Sequence, residues 1–205
     1  MRRLGFLILS ALTFLAVCSC SEKEEVGEYD NWQERNQQFL DSIAGVCKAN
    51  ADGSWVRLRA FNLATNDSTE LPSAYYIYVK KLATGEGDVA PLYTDSVRVH
   101  YSGRLIPTTE HPDGYVFGKS FSGKTVDESI DVPSLMGVRQ NIVGFATALM
   151  RMHVGDRWIV YIPYYLGYGE TAQSSGKIPA YSTLIFDINL VRIYKYGSDM
   201  NTDWY

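Results

Sequence analysis

The chain has 205 residues, of which 46% are hydrophobic, and a formal net charge of −4. Length and apolar content allow one ordinary domain with a modest additional element, and an acidic chain without a basic cluster is not built to bind nucleic acid. It has no internal repeat, no low-complexity tract and no second apolar run of membrane-spanning length, so beyond its first twenty residues the protein is expected to be soluble.

The N-terminus reads Met1-Arg2-Arg3, then the apolar run Leu4 to Val17, then Cys18-Ser19-Cys20. A basic start followed by an apolar stretch too short to span a bilayer predicts a signal peptide over residues 1–19. Its end resembles a bacterial lipobox. Cleavage before Cys20 makes small Ser19 the last residue removed, whereas cleavage before Cys18 would put bulky Val17 there, so Cys20 is the expected lipidated residue. A plain secretory signal or a single anchor helix is the alternative. Loss of Arg2 and Arg3 takes the formal net charge from −4 to −6. Residues 20–28, with Glu22, Lys23, Glu24, Glu25 and Glu28, form an acidic tether that is not expected to pack into a core. Acidic residues there resemble the surface-export signal of some Gram-negative lipoproteins, and a solvated linker would look the same. The expectation is an outer-membrane lipoprotein of a Gram-negative bacterium, periplasmic or surface-exposed. Cys47 is then the one cysteine of the folded part, which excludes an intrachain disulfide and predicts a buried small hydrophobe.

From Tyr29 to Asn50, Trp32, Phe39, Ile43 and Cys47 recur at near-helical spacings, with Asp30 as the expected cap and Asp52-Gly53 as the stop. Trp55 to Phe61 alternates like a strand and Asn66-Asp67-Ser68 reads as a turn. This N-terminal extension covers residues 29–73. Strand signals follow at Ala74 to Leu82, Ser96 to Leu105, Arg157 to Ile162 and Thr183 to Tyr194. Between them, Val138 to Met152 places Ile142, Phe145, Leu149 and Met152 on one face, a short helix starting near Gly144 and lying across a sheet. Antiparallel strands with one late helix define an α+β fold. The polar loop Gly169 to Ala180 and a tail over residues 196–205 complete the chain.

Several pieces of residues 74–195 occur in a telling order: Val99-His100-Tyr101-Ser102-Gly103, Tyr115-Val116-Phe117, Ile142-Val143-Gly144-Phe145, Met152-His153-Val154-Gly155-Asp156, Tyr165-Leu166-Gly167-Tyr168-Gly169, and Ile178-Pro179 followed by Thr183-Leu184-Ile185-Phe186-Asp187. Collinear at this spacing, they resemble the FKBP-type peptidyl-prolyl cis-trans isomerases. The resemblance implies an antiparallel half-barrel sheet wrapped on a short helix. It also implies a pocket in which Phe145 is the floor and Tyr101, Phe117 and Phe186 are walls. In that pocket the Ile142 backbone N–H and the Tyr168 hydroxyl bind peptide carbonyls, Asn141 and Ile178 line the rim, and the Gly169 to Ala180 loop, with Gln173-Ser174-Ser175-Gly176, overhangs the pocket as the expected specificity element. No cofactor or metal is implied. The expected partners are proline-containing segments of exported proteins and, through the lipid, a membrane.

Two departures from the family pattern stand out. Phe145 replaces the usual Trp, which widens the pocket. Gly118 follows Phe117 where the family usually has Asp, removing a carboxylate that organises the pocket's polar side. These departures keep open a second reading, a noncatalytic module of the same fold that binds peptides or a partner protein. An N-terminal helix forms a dimer in one branch of the family; the helix here is short, so packing on its own domain and a monomeric chain are expected. His100, His111 and His153 share no ligand spacing, and no Gly-x-Ser-x-Gly elbow is present.

Overall fold

The computed structural model describes residues 27–63, 70–173, 175 and 177–198. The expected signal peptide, Cys20, nearly all of the tether, the Asn66-Asp67-Ser68 turn, Ser174, Gly176 and residues 199–205 lie outside the described residues. No described helix is long and apolar enough to cross a membrane.

The first helix, α1, runs Trp32–Ala49. Asp30 does not cap it, contrary to the sequence expectation: the Asp30 carboxylate folds back to accept the Gly27 backbone N–H at 2.8 Å. The boundary falls instead at Asn31, which turns the chain at a φ of 52° without a side-chain cap bond. Asn tolerates this left-handed conformation better than most residues. At the other end Asn50, also left-handed, donates its N–H to Val46 and accepts the Trp55 N–H on its side chain, ending the helix ahead of Asp52-Gly53.

Seven strands follow: β1 (Trp55–Arg59), β2 (Tyr76–Ala83), β3 (Ser96–Arg104), β4 (Val116–Lys119), β5 (Ser134–Gly137), β6 (Arg157–Ile162) and β7 (Leu184–Tyr194). They form one antiparallel sheet in the order β1-β2-β6-β7-β3-β4, with β5 also paired to β3. One side of β3 is occupied by β7, and the other is shared between β5 along Ser96–Val99 and β4 along Ser102–Arg104.

Alternation along these strands separates two faces. Ile77, Val79, Val97, Val99, Val160, Ile162, Ile188 and Leu190 are buried in one cluster with Phe145, Ala146, Ala148 and Leu149 of a second helix, α2 (Val143–Leu149). The short helix expected to start near Gly144 is present as α2, and the residues ahead of it in the Val138 to Met152 stretch are not α-helical. Val138–Gln140 makes a 3-10 turn, Asn141 and Ile142 are extended, and only then does α2 begin. Gly144 is required there, because a side chain on it would drive into Ile162. The α2 backbone thus lies close on β6.

On the other face, Tyr76 and Tyr78 of β2 are buried with Leu40 and Cys47 of α1, and Trp55 and Tyr161 pack at the margin with rings stacked at 5.7 Å. The Cys47 thiol is pushed up in pKa by burial, opposed by Arg57. It is the buried small hydrophobe the sequence predicts. Two hydrogen bonds fasten α1 to the residues just before β7: Trp32 donates its indole N–H to Ser182 at 2.9 Å, and Asn36 accepts the Thr183 N–H at 2.7 Å. Glu28, the end of the acidic tether, also docks, since its carboxylate accepts the Thr108 hydroxyl at 2.7 Å.

Candidate active site

Four aromatic side chains from four elements meet above the start of α2. Phe145 is in the first turn of α2, Tyr101 on β3, Phe117 on β4 and Phe186 on β7. The Phe186 ring centroid lies 5.0 Å from that of Phe145 at 80° and 5.5 Å from that of Phe117 at 79°, and Tyr101 lies 6.3 Å from Phe145 at 85°. Edge-to-face rings at these separations attract one another beyond simple area burial. They make a stiff box rather than a collapsible gap.

Two backbone features build the box. A bulge between β3 and β4 pairs Gly103 with Gly118 and Arg104 with Val116, leaving Phe117 unpaired. Such a bulge re-aims side chains, and here Phe117 and Gly118 both border the same cavity although they are adjacent in a strand. At Gly103, a Cβ would sit 2.6 Å from both the Phe117 and Phe186 rings. Glycine at this position lets the two rings close over β3.

The cavity has a volume of about 400 Å³. All eight residues singled out in the sequence, Tyr101, Phe117, Asn141, Ile142, Phe145, Tyr168, Ile178 and Phe186, line it, together with Gly118, Met136, Gln140, Gln173, Ser175 and Lys177. Phe145 is only 3% exposed and forms a floor, while Tyr168 is 39% exposed at the mouth. Burial, and then the neighbouring Tyr101, push the Tyr168 phenol up in pKa. At neutral pH it is a proton-bearing donor. Among the described residues neither its hydroxyl nor the Ile142 N–H has a hydrogen-bond partner, so two unengaged donors border the aromatic box. Asn141 spends its amide N–H groups on Gly137 and Val138, which fixes the turn before α2.

No carboxylate borders the cavity. At Gly118 a Cβ would stand in open contact, 3.8 Å from the Tyr101 hydroxyl oxygen, so the position is empty by composition rather than by crowding. Sequence reasoning passed over Met136, Gln140, Gln173, Ser175 and Lys177. The first two belong to β5 and the 3-10 turn, which carry weak local signals; the others lie in the Gly169 to Ala180 loop, which the resemblance implies overhangs the pocket, without being singled out as site residues. The histidines are dispersed: His100 faces Ser120, His111 faces Glu28, and His153 faces Asp156. Spacing among histidines did not anticipate that Glu28 and Glu110 bring ligand atoms within 4.8 Å of His111.

A second depression of about 650 Å³ lies on the outer face of the sheet, beside His100, Arg104, Arg157 and Asp187. Arg157 there is held to Asp187 by two hydrogen bonds of 3.0 and 2.7 Å. Its larger size does not make it the better active-site candidate. Its Arg157 is engaged by Asp187, whereas the smaller cavity brings four aromatic side chains together with two unengaged donors, the mix of apolar surface and placed polar groups that ligand sites use.

Residues 87–191 match the family model for FKBP-type peptidyl-prolyl cis-trans isomerase. The chain belongs to that family, and its activity class is prolyl isomerisation. It is 32% identical over 196 residues to the macrophage infectivity potentiator of Trypanosoma cruzi, covering 95% of this chain and 82% of that one. It is 39% identical over 109 residues to the FKBP-type 22 kDa peptidyl-prolyl cis-trans isomerase of Escherichia coli, covering 53% of this chain and 46% of the relative. Among solved structures, a peptidyl-prolyl cis-trans isomerase from Pseudomonas syringae shares the fold, with a TM-score of 0.56 and 21% identity over 82% of this chain and 98% of that one.

Proposed function

We propose that this chain is an envelope-anchored prolyl isomerase that assists the folding of exported proteins, with the aromatic box as its active site. The observation that carries the site assignment is the combination of four converging rings with two unengaged donors, the Tyr168 hydroxyl and the Ile142 N–H. Rotation about an X-Pro bond is opposed by a barrier of about 18–20 kcal/mol because it breaks the amide resonance. No nucleophile or metal is needed to lower it. The twisted amide has lost its conjugation and part of its dipole, so a dry, apolar box disfavours the planar form relative to the transition state. A proline ring burying roughly 100 Å² against Phe145, Phe186, Phe117 and Tyr101 gains about 2.5 kcal/mol at 25 cal/mol per Å². Tyr168 and Ile142 then hold flanking carbonyls, so that rotation takes place in a fixed turn.

Anchoring rests on the basic and apolar start of the chain, the small residue before Cys20 and the acidic tether after it. Cys20 is the lipidated residue in this reading, and the domain works at the outer membrane on proline-containing segments of exported chains. The test of the activity is an NMR exchange assay on short X-Pro peptides, using residues 21–205 and a Tyr168→Phe, Phe186→Ala double variant. Acceleration that disappears in the double variant supports the site. A folded protein with no acceleration on any peptide overturns it in favour of a peptide-binding module, the outcome that Gly118 would then explain.

A further inference from the structure

We propose that Lys177 makes the site selective for proline segments that carry a carboxylate within two residues of the proline, a substrate preference that rests on the isomerase reading above. Of the residues bordering the cavity, Lys177 alone is charged. With glycine at 118, no acid shares the cavity to neutralise it, and among the described residues its ammonium has no ion-pair partner. The nearby acid of the same loop, Glu170, is directed at the Tyr181 hydroxyl, 3.4 Å away.

The position of Lys177 is set by its neighbour. Ile178 is buried in the main core cluster, and its carbonyl accepts the Gln173 N–H at 3.0 Å, closing the loop at its base. Lys177 is thus one residue from a fixed point while its own side chain is exposed at the mouth. A peptide whose proline sits in the box must run its flanking residues past this rim. The ammonium offers three donors on a flexible stem, so it meets a carboxylate from Asp or Glu without demanding one geometry. The chain as a whole is acidic, so long-range attraction does not supply this preference. It is local to one side chain.

The test measures kcat/KM by NMR exchange for single-proline hexapeptides carrying Glu, Gln or Lys either immediately before the proline or two residues after it. Wild type is compared with Lys177→Gln and Lys177→Glu, each first shown to be folded by its amide spectrum. At one or both positions wild type should prefer Glu over Gln by about threefold, within the range that exposed ion pairs give, and should disfavour Lys. The preference should collapse to parity in Lys177→Gln, invert in Lys177→Glu, and shrink in wild type at 1 M salt, where the Debye length is about 3 Å. Identical Glu-to-Gln ratios in all three proteins at both positions would overturn the proposal. A Leu-Pro peptide separates the two readings: if wild type does not accelerate even that peptide, the isomerase reading fails. The same ratios are then read from dissociation constants in chemical-shift titrations, where they support or overturn the role of Lys177 independently of turnover.

Discussion

At Gly118 a side chain is absent where there is room for one, and the Tyr101 hydroxyl, 3.8 Å from where a Cβ would stand, has no described partner. A carboxylate introduced there would accept from that hydroxyl and polarise the open side of the box. A hydrogen bond to a charged group is worth about 1.5–3 kcal/mol, so Gly118→Asp is expected to raise kcat/KM by about tenfold in the exchange assay, with an unchanged denaturation midpoint. Unaltered activity in a folded variant would show that the missing acid does not limit this enzyme. Tyr168 acts in the opposite direction. Its phenol is protonated at neutral pH at the ordinary tyrosine pKa of about 10, and burial and then Tyr101 only raise it further, so Tyr168→Phe removes one neutral donor. Such a bond is worth about 0.5–1.5 kcal/mol, so a loss of kcat/KM of about fivefold is expected, with no change in the pH profile between 6 and 8.

Among the elements, the sheet ladder depends on glycines as much as on β-branched residues. Gly103→Ala places a methyl group 2.6 Å from two aromatic rings, and overpacking of this kind costs about 1–3 kcal/mol. Urea denaturation should show that loss, accompanied by reduced peptide binding as Phe117 and Phe186 are forced apart. A loss of stability with full binding would mean that the rings are not part of the site. The elements also differ in how plainly the sequence announced them. The first helix and the strands β1, β2, β3, β6 and β7 could be read from apolar periodicity or, in β2, from a continuous apolar run whose two faces are both buried. β4 and β5 could not, since each has four residues and exists only because β3 offers a free edge to both. The N-terminal boundary of α1 misled for a related reason: Asp30 has a nearer donor in Gly27. The eight site residues were legible because a collinear family pattern marks them, whereas Met136 and Gln140 sit on elements that only tertiary pairing creates. Lys177 is marked in the sequence only by its charge and by its place in the loop that the resemblance makes the specificity element.

For the molecule as a whole, the end of β7 and the residues after it are tied to the start of β3 through Asp95. This buried residue, just before β3, accepts the backbone N–H groups of Leu92 and Tyr196 and the Lys195 ammonium at 3.0 Å. Burial by itself raises its pKa, but the Leu92 N–H, Lys195 and Tyr196 together outweigh burial and hold the carboxyl below its usual range. A depressed folded value means that this contribution is complete above the unfolded carboxyl pKa of about 3.9 and is lost as pH falls through the lower folded value. Asp95→Asn is therefore expected to cost about 1–3 kcal/mol at neutral pH and to flatten the acid limb of a stability-versus-pH curve below about pH 4. An acid limb identical to wild type would place the responsible carboxylate elsewhere. Anchoring belongs to the same scale: Cys20→Ser should move the protein from the membrane fraction to the soluble one, and an unchanged distribution would exclude lipid at that residue. The sheet order has a further consequence, for the way the chain is made. The last described strand in sequence, β7, lies between β6 and β3, so a nascent chain lacking Leu184 onward holds two half-sheets with no strand to join them, and α1 gains its partners Ser182 and Thr183 only just before. Completion by β7 keeps the growing sheet open until Leu184 and the residues after it have been made. The isomerase acquires its own fold only once its final strand is available.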